Sequence, residues 1–272
     1  MAEPAHSLTD TERDALARAF AGMALSAGQA IMDVYAGACV ARQKADASPV
    51  TEADERAEAV ILAQLAAAFP HLPVIAEESV ARGLAPACGA RFILVDPLDG
   101  TREFLARNGE FTVNIALIDT GVPVAGVVYA PALDKLWLGG ANAWTCAAAP
   151  GSALPPAADW RRIAARAPGP DGLVALCSRS HGDASTEEFL AGHKIARRVN
   201  AGSSLKFCLI AEGEADVYPR FGPTMEWDVA AGEAVLRAAG GRVLTPAGAP
   251  LRYGKSDEGF RNGAFVAWGP AA

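Results

Sequence analysis

The sequence predicts a mixed α and β chain, and three observations predict it. A long N-terminal segment repeats apolar residues at helical spacing. A central stretch, "FTVNIALI" and then "VPVAGVVYAPALDKLWLGG", is rich in β-branched residues with turn signals between its runs, and helix and strand patterns then alternate to the C-terminus. At 272 residues and 51% hydrophobic content, the chain can form one large domain or two lobes that share a core.

From Thr11 to about Arg42 the apolar positions Leu16, Phe20, Met23, Ala27, Ile31 and Val34 step by three or four, as one face of a long helix requires. "KADASPVTEADERAEAVILAQLAAAFP" reads as a polar loop and a second helix, with Thr51 as N-cap and Pro70 as stop. Strands follow at Leu72 to Ala76 and Arg91 to Val95, separated by a surface excursion from Ala81 to Ala90. Turn signals at Asp119 to Gly121 and Ala130 to Asp134 divide the central stretch into an antiparallel meander. The Pro, Ala and Gly content around Pro150 to Pro156 marks a boundary between lobes at residues 1–150 and 151–272. The second lobe is expected to run as strand "LVALCS", helix Ser185 to Gly192, strand Arg197 to Asn200, helix Leu205 to Glu212 and strand Asp216 to Pro219. A last helix opens at Asp228 and ends at Gly240-Gly241.

Charge and composition narrow the function. Lys and Arg number 24 against 31 Asp and Glu, a net charge of -7 that repels a nucleic acid polymer. No run of 18 apolar residues appears and the start, MAEPAHSLTDTERD, is polar and acidic, so no transmembrane segment is expected and the cytoplasm is the expected location, with peripheral membrane association left open. Cys39, Cys88, Cys146, Cys177 and Cys208 are scattered without a C-x-x-C and read as reduced core residues. The four histidines form no metal-binding spacing, so a metal here is held by oxygen. Nothing in the sequence sets an oligomeric state.

"VDPLDGTREF" places Asp96 and Asp99 at the end of an apolar run. On one tight turn their carboxylates come within roughly 5 Å and repel by about 3 kcal/mol at an effective dielectric of 20. A plain alternative is that Asp96 caps a turn begun by Pro97 while Asp99 sits in a solvated Asp-Gly corner. Other acids lie at similar places: Glu77 and Glu78 end the "LPVIAEE" strand, and Asp54 and Asp228 each open a helix. Each has a structural reading too, as a capping box with Thr51, a helix-dipole partner or a solvated strand end. Convergence of these acids is costly unless they are protonated or neutralised by cations, and an all-carboxylate set suits Mg²⁺, Mn²⁺ or Ca²⁺. Such ions reverse the local sign, so that a phosphate is clamped and a water activated against it. Gly100 lets backbone amides approach a phosphate, and the Thr101 hydroxyl orients or deprotonates the water, unless it only caps a helix.

The segment "DPLDGTREFLARNGEFTVNIALI", together with "TEAD", "EES", "GSS" and "WDVAAG", resembles the inositol monophosphatase superfamily of magnesium-dependent, lithium-sensitive phosphatases over nearly the whole chain. The pairing of "DPLDGT" with a distant "WDxAAG" is far more specific than either piece alone. The resemblance implies an α+β fold, the layered α/β/α/β/α sandwich of the sugar phosphatases, with most metal ligands in the first lobe and Asp228 and the nucleotide contacts in the second. Within the superfamily, "REFLARNGEFTVNIAL", "SRSH", "GSSLKFCLIAEGEADVYPRFGPTMEWD" and "LRYGK" are similar to the bisphosphate nucleotidase branch. That similarity implies hydrolysis of the 3'-phosphate of 3'-phosphoadenosine 5'-phosphate to AMP and phosphate, with the 5'-phosphosulfate as a second substrate.

Residue by residue, the resemblance implies that Glu77, Asp96, Asp99, Asp228 and the Leu98 carbonyl hold two or three Mg²⁺, with Mn²⁺ as a substitute, and touch the substrate. It implies that Asp54 and Thr101 orient and deprotonate the attacking water, that the Gly100 and Thr101 amides hold the scissile phosphate, and that a water beside Asp228 protonates the leaving ribose oxygen. For the nucleotide it points to His181, Ser203, Lys206 and Arg220. A second phosphate remote from the metals needs cationic donors such as Lys206 and Arg220, although either also reads as a solvated charge. Trp227 reads equally as a stacking platform or a core residue. Two alternatives stand beside this reading, inositol monophosphatase activity and a non-catalytic metal- and phosphometabolite-binding regulator. Against the second, a binding module has no need of the water-activating Asp54, Thr101 and Asp228. The segment "VARGLAPACGARF" leaves open how many ions are ordered beside Glu78.

Overall fold

The computed structural model, which describes residues 7–37, 42–43, 49–178 and 184–270, stacks helices and sheets in five alternating layers. Helix α1 (Asp10–Tyr35) starts at a capping box between Thr9 and Glu12 and stops short of the expected Arg42, where Ala36 and Gly37 bond back to Met32 and Val34. After the short antiparallel pair β1 (Arg42–Gln43) and β2 (Pro49–Val50), helix α2 (Glu52–Ala68) opens at Thr51 as predicted. Next come β3 (Val74–Ala76), the single turn of helix α3 (Glu77–Ala81), β4 (Arg91–Asp99) and another single turn, α4 (Thr101–Leu105). The meander is β5 (Thr112–Asp119), β6 (Val122–Ala130), β7 (Lys135–Gly139), β8 (Ala143–Ala147) and β9 (Arg161–Ile163). These strands make a seven-stranded sheet in the order β3-β4-β5-β6-β7-β8-β9, parallel only between β3 and β4.

The remaining elements are β10 (Leu173–Ser178), α5 (Ala184–Ala191), β11 (Ile195–Ala201), α6 (Leu205–Ala211), β12 (Val217–Arg220), β13 (Thr224–Met225), α7 (Glu226–Ala238), β14 (Arg242–Leu244), β15 (Arg261–Asn262) and β16 (Phe265–Trp268). A five-stranded sheet has the order β11-β10-β12-β16-β14, and β13 pairs with β15. The boundary expected near Pro150 to Pro156 precedes β9, which still hydrogen-bonds to β8, so the chain passes to the second sheet only after Ile163.

Period-two alternation builds the layers. On β4 and β5, Ile93, Val95, Val113 and Ile115 face α1 and α2, packing on Phe20, Ile31 and Ile61. The opposite residues, Phe92, Leu94, Ala116 and Ile118, face Phe207, Trp227 and Leu236 of α6 and α7, and those helices also cover Leu176, Tyr218 and Phe265 of the second sheet. Leu190 of α5 closes the outer face on Ala175, Val217 and Val266. The central helix α7 sits so close to β7 that a Cβ on Gly139 would lie 2.5 Å from the Val235 Cα. By length and composition α1 is apolar enough to cross a membrane, yet half of that stretch is buried inside the protein.

Two buried carboxylates lock the elements that lead to the site. Glu58 of α2 accepts from the amide of Glu78 at 2.8 Å, the hydroxyl of Ser79 at 2.8 Å, the Ser79 amide at 3.3 Å and Arg82 Nη2 at 2.8 Å, which fixes α3 against α2. Glu233 of α7 accepts from Tyr253 Oη at 2.6 Å and ties the chain after β14 to the central helix. Burial pushes the Glu233 carboxyl up to about 7, although the Tyr253 hydrogen bond favours its ionised form.

Glu58→Ala leaves several donors without their acceptor and is expected to lower stability by about 3 kcal/mol in urea unfolding, with Glu58→Gln recovering part of the loss. Glu233 is protonated in the folded chain and ionised in the unfolded one between the ordinary carboxylate value of 4.5 and about 7. Its contribution is therefore complete below that window and fades as pH rises through it, by up to about 3 kcal/mol. Subtracting the stability profile of Glu233→Gln from that of the native chain should reveal this slope; parallel profiles contradict it.

Candidate active site

Regular strand geometry puts residues three apart on opposite faces, so Asp96 and Asp99 share a face only if β4 is irregular. It is: Asp96 pairs with Asn114 and Asp99 with Thr112, three steps on one strand against two on the other, which is a bulge at Pro97 and Leu98. Asp96 and Asp99 therefore both point toward α6 and α7. The expected tight turn is in fact a continued, bulged strand. Asp96 Oδ1 accepts from the Leu98 amide at 3.0 Å, holding the bulge closed.

Two helices bring the other acids. Glu77 follows the last residue of β3 and begins α3, and Asp228 lies in the first turn of α7. One carboxylate oxygen from each of Glu77, Asp96 and Asp228 falls within 4.8 Å of the others. That opening is comparable with twice a metal–oxygen bond of about 2.1 Å, and the donor set is wholly carboxylate, so these residues fit Mg²⁺ or Mn²⁺ and not zinc. Burial, then the nearby Asp99 and Glu77 charges, push the Asp228 carboxyl well above its ordinary value. Burial also raises Asp99, while Lys206 and a hydrogen bond from Ser204 pull it back. Without a cation the cluster is electrostatically frustrated.

The capping and catalytic readings prove compatible, because a carboxylate has two oxygens. Asp54 Oδ2 accepts from the Thr51 amide and hydroxyl, both at 2.8 Å, and closes the start of α2. Its Oδ1 accepts from Thr101 Oγ1 at 3.2 Å. Asp228 Oδ2 likewise accepts from the Met225 amide at 2.8 Å. Thr101 follows Gly100, whose φ of 92° lies in the left-handed region that favours glycine. The Leu98 carbonyl lies 3.5 Å from Thr101 Oγ1, beside the same corner.

A cavity of about 240 Å³ joins this acidic corner to a basic one. Glu77, Asp99, Gly100, Thr101 and Asp228 line one end, with Ser203, Lys206 and Arg220 also in its wall; Asp54, Asp96 and Leu98 are not among its lining residues. Lys206 is buried, donates to the Ala201 carbonyl at 3.2 Å and the Ser203 carbonyl at 2.6 Å, and is pulled down to about 8 chiefly by desolvation. Two of its three N–H bonds are thereby committed, leaving one for a ligand. Arg220 Nη2 donates to the Pro223 carbonyl at 3.1 Å, while its Nε is buried with no hydrogen-bond partner. Thr224 Oγ1 is in the same state and lines the same cavity. His181 lies outside the described residues. Trp227 packs against Phe260 in the core, ring centroids 6.0 Å apart, which settles its two readings in favour of packing.

Sequence reasoning missed Thr112, Asn114, Ser204 and Thr224. Thr112 and Asn114 carried a signal, since they are two polar residues at spacing two in an otherwise apolar strand, both fully buried beneath the acids. Ser204 was hidden behind its neighbour Ser203 in the "GSS" segment. Thr224 had no local pattern to betray it.

Comparison with known proteins agrees with this geometry. The model of the inositol monophosphatase family matches residues 12–265. The 3'(2'),5'-bisphosphate nucleotidase CysQ of Escherichia coli strain K12 is 46% identical over 246 residues, covering 89% of this chain and 95% of that one. The crystal structure of CysQ from Bacteroides thetaiotaomicron superposes with a TM-score of 0.79 at 39% identity, covering 95% of this chain and 98% of that one. An inositol monophosphatase from Anabaena (Nostoc) sp. PCC 7120 gives 0.71 at 25% identity, with 94% and 91% covered. With its bulged acidic strand, its layered sheets and a match along almost its entire length, this chain belongs to the inositol monophosphatase family.

Proposed function

We infer that this chain is a 3'(2'),5'-bisphosphate nucleotidase, a magnesium-dependent phosphomonoesterase that removes the 3'-phosphate of 3'-phosphoadenosine 5'-phosphate. The observation that carries the choice of substrate is the two-signed cavity, acidic at Glu77, Asp99 and Asp228 and basic at Lys206 and Arg220. A substrate with two anionic groups brings one to the cation-covered acids and offers the other to the buried Arg220 Nε, which has no hydrogen-bond partner in the protein, whereas an inositol monophosphate leaves that donor unsatisfied. Identity of 46% to curated nucleotidases supports the same choice. The free thiols of Cys88, Cys146, Cys177 and Cys208 support a reducing, cytoplasmic setting.

Glu77, Asp96, Asp228, Asp99 and the Leu98 carbonyl would hold two or three Mg²⁺, or Mn²⁺ in their place. Bound there, the dications supply the positive charge that admits the phosphate and favours the attacking hydroxide form of water. The chain's own residues do the rest. Thr101 donates its proton to Asp54 Oδ1, which leaves an oxygen lone pair to accept a proton from the attacking water. Asp54 is locked for this task by its second oxygen in the cap of α2. The Gly100 and Thr101 amides hold the phosphate oxygens while the water oxygen bonds to phosphorus. The phosphorus–ribose oxygen bond then breaks on the Asp228 side, where solvent returns a proton. Lys206, Arg220 and Ser203 grip the remote phosphate and so orient the scissile one.

Phosphate release from 3'-phosphoadenosine 5'-phosphate in Mg²⁺ tests the reading, with a chelator expected to abolish it and inositol phosphate to give much less product. Preference for inositol phosphate would reverse the assignment. Asp54→Asn should cut kcat by about 10²- to 10⁴-fold without unfolding the chain. Arg220→Ala should weaken kcat/KM for the bisphosphate by roughly ten- to a hundredfold, the value of one charge-assisted hydrogen bond, while barely changing that for adenosine 3'-monophosphate. Equal losses on both substrates would place Arg220 outside the remote-phosphate contact.

A further inference from the structure

We propose that Thr112, Asn114 and Ser204 form a one-directional chain of hydrogen bonds whose job is to position Asp99 for a dication at one end and Ser203 for the substrate at the other. The inference rests on the preceding reading in taking Asp99 and Asp228 as metal-holding residues and Ser203 as a substrate contact.

Five contacts define the chain. Ser204 Oγ lies 3.0 Å from Asp99 Oδ2 and 3.0 Å from the backbone carbonyl oxygen of Asp228. Asn114 Nδ2 is 3.0 Å from Ser204 Oγ, Thr112 Oγ1 is 3.2 Å from Asn114 Oδ1, and Ser203 Oγ is 2.8 Å from Thr112 Oγ1. Thr112, Asn114 and Ser204 are all buried, so the two inner bonds of the chain are shielded from solvent while its ends reach the cavity.

The direction follows from one end. An ionised carboxylate and a backbone carbonyl only accept, so Ser204 must donate its single proton toward Asp99 or Asp228. Ser204 then accepts from Asn114, which obliges the amide nitrogen of Asn114 to face it and the amide oxygen to face Thr112. Thr112 therefore spends its proton on Asn114, and Ser203 must donate to Thr112. Each member has one role, and none can reverse without leaving a buried polar atom unpaired, at a cost of about 1–3 kcal/mol.

Its placement gives the chain a purpose. Asp99 comes from the first sheet and Asp228 from the central helix, and Ser204 Oγ is the atom that touches both. The Ser204 hydrogen bonds also favour the ionised form of Asp99 against the burial that disfavours it. At the far end, Ser203 adopts a φ of 45°, an uncommon conformation for a serine, and lines the cavity with its hydroxyl pinned by Thr112. Asn114 thus acts through Ser204, and Thr112 through Ser203; they are positioning residues that touch neither metal nor substrate.

Calorimetric titration of the full chain with Mg²⁺, in the absence of substrate, tests this independently of turnover. Ser204→Ala is expected to weaken Mg²⁺ binding by roughly tenfold or more, the usual consequence of losing a hydrogen bond to a metal-binding carboxylate. Asn114→Leu, close in volume, should give a smaller loss, and the double variant should lose no more than Ser204→Ala alone, because both cut the same chain. Thr112→Val should leave Mg²⁺ affinity within about twofold but raise KM for the bisphosphate with kcat retained, since it frees only Ser203. Thermal unfolding of each variant identifies any that fails to fold; the remaining ones then decide. Native-like Mg²⁺ affinity in folded Ser204→Ala, while Asp99→Asn loses binding, overturns the chain and leaves the metal site standing. A native chain that binds no Mg²⁺ overturns both.

Discussion

Mutual repulsion among crowded, half-buried carboxylates is the constraint to which the rest of the molecule answers. Asp96, Asp99, Glu77 and Asp228 reach one seam from a strand, a bulge and two helix starts, and a chain free to relax would separate them. The fold keeps them together with hydrogen bonds and a strand irregularity. The β4 bulge turns both aspartates to one face, Glu58 pins the helix that starts at Glu77, and the Met225 amide holds Asp228. Energy gained by packing the two hydrophobic layers is thereby stored as a site that a dication relieves.

Charge also explains why the cavity can be selective. Lys206 of α6 and Arg220 of β12 share the cavity wall with Glu77, Asp99 and Asp228, so the wall carries charges of both signs. Cations over those acids would suit it to an anionic ligand. The desolvated ammonium of Lys206, already bonded to two carbonyls, offers a fixed donor instead of a flexible one. Fixed donors lose little freedom when a ligand arrives.

Much of this was legible before the structure, and for identifiable reasons. Long periodic elements such as α1, α2 and the meander, and the caps at Thr51 and Gly240, follow local rules that one window of sequence displays. The single-turn helices α3 and α4 were not legible, since five residues carry no periodicity. For Asp54 the sequence offered a capping box and a role at the site as rivals, and only coordinates show one oxygen in the cap and the other bonded to Thr101. The polar chain beneath the acids escaped because its members come from β5 and from the "GSS" segment some ninety residues later. Strand β9 was not foreseen, because proline and glycine content near Pro150 to Pro156 registers a loop and not the sheet to which the next strand returns.

The wedge of α7 between the two sheets has a temporal consequence. A ribosome makes Glu77, Asp96 and Asp99 well over a hundred residues before it makes the helix bearing Asp228, and that helix packs into the core between both sheets. Nascent or truncated chains therefore carry an acidic strand but no finished hydrolytic centre. Enzymatic competence arrives abruptly, when the closing third of the polypeptide slides into place.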